Sequence, residues 1–230
     1  MTNPFKKLTL FEKILWTSSV AVVIVSTLAS PKPDIFSLLA SILGVTALIF
    51  IARGFAIGQV LVIIFATFYA LISYKQAYYG EMITYVCMTL PMAAVSLVSW
   101  LKNPYGNTGE VRVSRLNAKT VSLVFLSAAV VTVSFYFILG ALGNASLIVS
   151  TLSVATSFVA ATLTYLRSPF YAIGYAVNDV VLIILWVIAS ATDPGAWCVV
   201  ACFAAFLVND VYGFVSWVRM QKRQNTEKLG

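Results

Sequence analysis

Two identical tetrads, Val177-Asn178-Asp179-Val180 and Val208-Asn209-Asp210-Val211, are the first residues in this chain whose type and spacing could do chemistry. Each sets a carboxyl beside a carboxamide inside a long apolar run. An unpaired polar group in hydrocarbon costs several kcal/mol, so the repeated tetrad predicts a polar site shared by two helices. Polar glue between packed helices is the alternative use of such residues. Gln59 adds a carboxamide to another apolar segment, and Glu81, Tyr85 and Thr89 recur on one helical face. Pro91 follows them, where a kink would free backbone carbonyls toward a cavity. Tyr69, Trp186, Tyr212 and Trp217 bring aromatic rings to the same layer.

Carboxamides bond amides and hydroxyls, and aromatic faces attract a flat cation. Carboxylates without a compensating cation favour the same kind of solute. The candidate binding residues are Gln59, Tyr85, Thr89, Asn178, Asp179, Trp186, Asn209, Asp210 and Tyr212. Together they suit a flat ring that carries amide or hydroxyl groups, and they favour a cationic one. Neighbouring helical residues project about 100° apart, so the Asn and Asp of one tetrad cannot aim at one point. Asn178 and Asn209 are expected on the solute. Asp179 and Asp210 should divide between the solute and neighbouring helices.

The elements that position these residues follow from composition. Of 230 residues, 60% are hydrophobic and 10% charged, against roughly a quarter charged in soluble domains. The chain is read as an all-α integral membrane protein. A spanning helix needs about 20 apolar residues. Eight runs approach that length: 12–30, 35–52, 55–74, 81–101, 120–140, 146–166, 170–191 and 196–218. At 1.5 Å of rise per residue, Asn178 and Asp179 lie roughly 17 Å inward of Arg167. Asn209 and Asp210 lie roughly 14 Å inward of Arg219, in the same middle layer.

Even helix number places both termini on one side. Thirteen of the Lys and Arg residues fall on that side, and Lys32 and Lys75 on the other. The positive-inside rule makes both termini cytoplasmic in a multi-pass protein of the cell inner membrane. The first run also has signal-peptide features: Lys6 and Lys7, an apolar stretch, then Thr27-Leu28-Ala29-Ser30. It is read here as a retained helix.

The stretch from Arg53 to Trp100 resembles that from Arg167 to Trp217. Ala56-Ile57-Gly58 echoes Ala172-Ile173-Gly174, and both stretches end in Val-Ser-Trp, at Trp100 and Trp217. The chain then divides into a tail and extra helix (1–34), a triple-helix unit (35–101), a loop and linker helix (102–145), a second triple-helix unit (146–218) and a basic tail (219–230). A single linking helix gives two units of the same orientation, the parallel-repeat plan of SWEET-like carriers, with a site between them near mid-membrane. Tyr74, Tyr78, Tyr79, Trp100 and Trp217 are candidates for an interfacial aromatic belt, Trp100 above all.

Several classes are excluded. The chain has no His, so nucleophile–His pairs and the commonest zinc ligand are absent. No phosphate-cradling Gly-rich loop is present. Cys87, Cys198 and Cys202 lie in apolar runs and read as packing residues. Neither enzyme activity nor a cofactor or metal is expected. The net charge of +7 reads as topology signal and lipid anchoring rather than nucleic acid binding.

Four segments carry a resemblance: 79–85, Met88-Thr89-Leu90-Pro91-Met92, Asn178-Asp179 within 175–182, and Asn209-Asp210-Val211-Tyr212-Gly213-Phe214 followed by Trp217. Here the sequence resembles the PnuC family of vitamin transporters, over about residues 5–222. The resemblance implies eight transmembrane helices, an N-terminal helix before a three-plus-one-plus-three core. It implies facilitated uptake of nicotinamide riboside for NAD biosynthesis, trapping by a cytoplasmic riboside kinase, and a homotrimer. Sister branches imply thiamine or another ring-containing vitamin as the alternative cargo. A membrane receptor or assembly subunit without transport is the alternative of another class.

Overall fold

The computed structural model describes residues 4–31, 33, 35–75, 79–144, 146–191 and 195–227. Lys32 and Tyr78, and the side chains of Lys75, Tyr79 and Glu81, lie outside that description.

A 3-10 turn, Pro4–Lys7, leads into α1 (Leu10–Leu28). Thr9 starts α1 with a capping box: its Oγ1 accepts from the Glu12 N–H at 3.3 Å, and Glu12 Oε2 accepts from the Thr9 N–H at 2.6 Å. That exchange satisfies backbone donors a helix start otherwise leaves open. α2 (Ile35–Ala52) and α3 (Ile57–Lys75) follow. α4 (Tyr79–Thr84), a π turn (Tyr85–Thr89) and α5 (Leu90–Lys102) run on as one rod. The kink expected at Pro91 thus takes the form of a π turn, in which one residue too many per turn re-aims side chains. α6 (Ala118–Ala141), α7 (Leu147–Tyr165), α8 (Tyr171–Ala189) and α9 (Ala196–Thr226) complete the chain.

Seven helices among the described residues are long and apolar enough to cross a membrane: α1, α2, the rod from Met82, α6, α7, α8 and α9. α3 is apolar over the shorter Ile57–Leu71. The basic segment after 218 is not a loose tail, because α9 continues to Thr226 with Met220 and Gln224 buried.

The packing has an order. α3 sits between α2 and α5, and α8 between α7 and α9. α2 meets α9, and α5 meets α7, which closes the six into a ring. α1 leans on α9 and α2 from outside, and α6 on α7. Gly58 and Gly174 let each middle helix approach its neighbour. A Cβ at Gly58 would stand 2.9 Å from the Ile51 backbone nitrogen, and one at Gly174 would stand 3.0 Å from the Ala160 Cα.

The two Val-Ser-Trp endings fasten the ring. Ser99 Oγ and Trp100 Nε1 donate to the carbonyls of Tyr165 (2.9 Å) and Thr164 (3.0 Å). Ser216 Oγ and Trp217 Nε1 donate to those of Ala52 (2.7 Å) and Ile51 (2.8 Å). The indoles meet with ring centroids 5.4 Å apart. This corrects the belt expectation: Trp100 and Trp217 are buried, because their N–H groups find carbonyls at helix ends, as second donors beside the Arg167 and Gly54 N–H groups. Tyr74 is exposed.

The loop after α5 seals the same end. The Val111 N–H donates to the Gly54 carbonyl and the Ser114 N–H to the Arg167 carbonyl, both at 2.9 Å. Gly54 (φ 68°) and Arg167 (φ 58°) each end a helix in the left-handed conformation. Glu110 pairs with Arg223 of α9 and with Arg53 at 3.9 Å.

Candidate functional site

A cavity of about 220 Å³ opens inside the ring. The middle helices bring Gln59 on α3 and Tyr175, Asn178, Asp179 and Trp186 on α8. The π turn presents Tyr85 and Thr89, and α9 presents Asp210. A cluster of rings, Phe65, Tyr69 and Tyr85, forms one wall, with Tyr69 and Tyr85 centroids 4.7 Å apart. Phe203 and Phe206 of α9 add to it.

The Asp179 and Asp210 carboxyls face each other within hydrogen-bonding reach, and both are buried. Among the described residues that line the cavity there is no Lys or Arg. Asp179 Oδ2 and Gln59 Nε2 are buried without a hydrogen-bond partner in the protein. One is an acceptor and the other a donor. Buried polar atoms in proteins are nearly always paired, so two orphans of opposite sense lining one cavity call for a ligand. Asn178 is held differently. Its Oδ1 accepts from Ser153 (3.1 Å), Thr156 (2.9 Å) and Ser157 (3.0 Å), all on α7.

Seven of the nine residues singled out in sequence line this cavity: Gln59, Tyr85, Thr89, Asn178, Asp179, Trp186 and Asp210. The placement of the other two is corrected. Asn209 Nδ2 donates to Ser19 Oγ of α1 and to the Ala205 carbonyl, each at 2.8 Å. Tyr212 donates its hydroxyl to Glu12 Oε1 at 2.6 Å. Both sit on the α9 stripe that packs against α1. The angular argument holds within the second tetrad, but with roles reversed: Asp210 faces the cavity and Asn209 the packing partner. Trp217, too, lies in the cluster with Tyr171 and Trp100 rather than on the cavity.

Sequence reasoning missed the hydroxyls of α7. Ser150, Ser153, Ser157 and Thr164 all line the cavity at helical spacing, a polar stripe legible in 147–165. It also missed Glu12, which is fully buried and whose signal was the Thr9-x-x-Glu12 capping box.

Membrane-length helices packed in a ring around a central cavity, polar on one side and aromatic on the other, define a membrane transport protein. Comparison with known proteins gives the family. A profile described as "Nicotinamide mononucleotide transporter" matches residues 34–219. The nicotinamide riboside transporter PnuC of Neisseria mucosa is 28% identical over 191 residues, covering 81% of this chain and 73% of its own. The nicotinamide riboside transporter PnuC of Haemophilus influenzae is 24% identical over 191 residues, covering 82% and 81%. The crystal structure of the vitamin B3 transporter PnuC superposes with a TM-score of 0.80 at 25% identity, over 94% of each chain. The chain belongs to the nicotinamide mononucleotide transporter family, a family of transporters rather than enzymes. The PnuC resemblance of segments such as 209–214 is thereby borne out.

Proposed function

We propose that this protein carries nicotinamide riboside into the cell by facilitated diffusion. The observation that supports this most directly is the cavity's charge and hydrogen-bonding pattern. Two facing carboxyls with no Lys or Arg among the described lining suit a cationic ring. The orphan donor Gln59 Nε2 and orphan acceptor Asp179 Oδ2 match the C=O and N–H₂ of a carboxamide. Rings of Phe65, Tyr69 and Tyr85 offer faces for stacking, and the α7 hydroxyls offer partners for a ribose. A phosphate would meet two carboxyls and, among the described lining residues, no cation, which favours the riboside over the mononucleotide.

Eight transmembrane helices, with a three-plus-one-plus-three core of SWEET-like parallel repeats, belong to the same reading. Its support is the pairing of equivalent contacts: Trp100 with Thr164 as Trp217 with Ile51, and α2–α9 as α5–α7. The unit boundaries 35–101 and 146–218 follow from it, as do cytoplasmic termini from the Lys and Arg count. Assembly as a homotrimer and trapping by a riboside kinase rest on the family resemblance.

Calorimetric titration of the purified protein with nicotinamide riboside, nicotinamide mononucleotide and thiamine tests the reading. Nicotinamide riboside should bind tightest. Thiamine, cationic but without a carboxamide, should bind more weakly, and the mononucleotide weakest. Tighter binding of the mononucleotide would refute the charge argument, and absence of uptake into liposomes would refute carriage.

A further inference from the structure

α1 lies outside the ring and lines none of the cavity, yet it carries a fully buried carboxylate. Glu12 accepts from the Tyr212 hydroxyl at 2.6 Å, from the Thr9 N–H at 2.6 Å and from the Thr9 hydroxyl at 2.9 Å. Arg53 pairs with it at 3.6 Å. Two turns further along α1, Ser19 Oγ accepts from Asn209 Nδ2 at 2.8 Å. Apolar packing would hold two membrane helices together without these groups, and buried charge is costly wherever it is kept. What polar contacts add is a fixed register and rotation.

The residues they grip are Asn209 and Tyr212, which flank Asp210. Positions 209, 212 and 216 form one stripe of α9, the last of them bonded to the Ala52 carbonyl of α2. Asp210 points about 100° away from Asn209, toward the cavity. Gly213 and Trp217 continue its side, against Tyr171. A helix pinned along one stripe cannot turn the other.

We propose that α1 is the positioning strut of the binding site, and that Glu12 and Ser19, acting through Tyr212 and Asn209, hold α9 at the rotation that aims Asp210 into the cavity. This rests on the cationic-carrier reading above. Release of the stripe lets α9 rotate and swings a negative group away from the solute ring. The loss therefore falls on the preference for a charged ring over an uncharged one of the same shape.

The test uses the full-length purified protein, titrated calorimetrically with nicotinamide riboside and with its uncharged reduced form, dihydronicotinamide riboside. The readout is the affinity ratio between them. Asp210→Asn sets the scale, and should lower the ratio about tenfold. Ser19→Ala combined with Tyr212→Phe should lower it nearly as far, whereas Ser19→Thr, which keeps the hydroxyl, should retain the parent ratio. Should the double variant fail to fold, Tyr212→Phe alone carries the same expectation in smaller degree. A variant that melts earlier but keeps the parent ratio would overturn the proposal, because α1 would then be structural support only. An unchanged ratio in Asp210→Asn would overturn it equally. If the parent itself binds neither ring, the carrier reading falls first, and that outcome is read from the parent before any variant.

Discussion

Gln59 and Asp179 show how a residue can be unfavourable for the fold and useful for the site. Each leaves a buried polar atom unpaired, at a cost of about 1–3 kcal/mol. Gln59→Leu is therefore expected to hold or raise the melting temperature of the solute-free protein. The same substitution should weaken nicotinamide riboside binding roughly ten- to a hundredfold, since the ring's carboxamide then loses its donor. Thermal unfolding and calorimetry of one preparation check both halves, and a fall in melting temperature with unchanged affinity would contradict them. Arg167 is a second residue held against its preference. It occupies the left-handed conformation at φ 58°, where Gly54 stands at the equivalent helix end. Arg167→Gly should stabilise the protein by about 1 kcal/mol, read as a higher melting temperature, because a side chain pays roughly that much in this conformation. Asn209→Leu should act differently from either. Its carboxamide holds Ser19, so the change should loosen α1 rather than remove a direct contact to the solute.

The elements owe their arrangement to paired small devices. Trp100 and Trp217 each donate an indole N–H to a carbonyl at the end of the neighbouring helix in the ring. Trp100→Phe and Trp217→Phe should each lower stability by about 1–3 kcal/mol, through the lost indole hydrogen bond and the space a smaller ring leaves, and by similar amounts. Thermal melts of the two variants measure this, and a large disparity would argue against equivalent joints. Gly58 and Gly174 are the matching pair within each triple. A methyl group there would meet backbone atoms at 2.9 and 3.0 Å, so Gly58→Ala and Gly174→Ala should destabilise by about 1–3 kcal/mol. The π turn presents both Tyr85 and Thr89 to the cavity.

At the scale of the whole molecule, the ring, its central cavity and its sealed basic end form one device. Tags at either terminus should report from the cytoplasm, which protease protection in oriented vesicles checks. A C-terminal tag found outside would overturn the eight-helix count. Nicotinamide riboside should equilibrate into liposomes with no ion gradient imposed, because the chain offers no nucleotide loop and no His shuttle. Strict dependence on a proton gradient would instead assign coupling to the Asp179–Asp210 pair.

Apolar length alone located the long helices: the run 35–52 is α2 residue for residue, the run 196–218 is the start of an α9 that continues to Thr226, and the others shift by a few positions. Burial cost alone identified the polar layer, since a carboxyl in hydrocarbon needs a reason, and Asp179 and Asp210 meet in the cavity as that reasoning requires. The 3.6-residue period further fixed that Asn and Asp of one tetrad point apart. It did not fix which of them faces inward, because the period sets angles between residues and not the rotation of the helix among its neighbours. That rotation depends on partners distant in sequence. Asn209 finds Ser19, Tyr212 finds Glu12, and Trp100 finds Thr164, so residues that read as solute contacts or as an aromatic belt became struts and clamps. Only the packed bundle decided this, because each of those bonds joins segments that a local pattern cannot bring together.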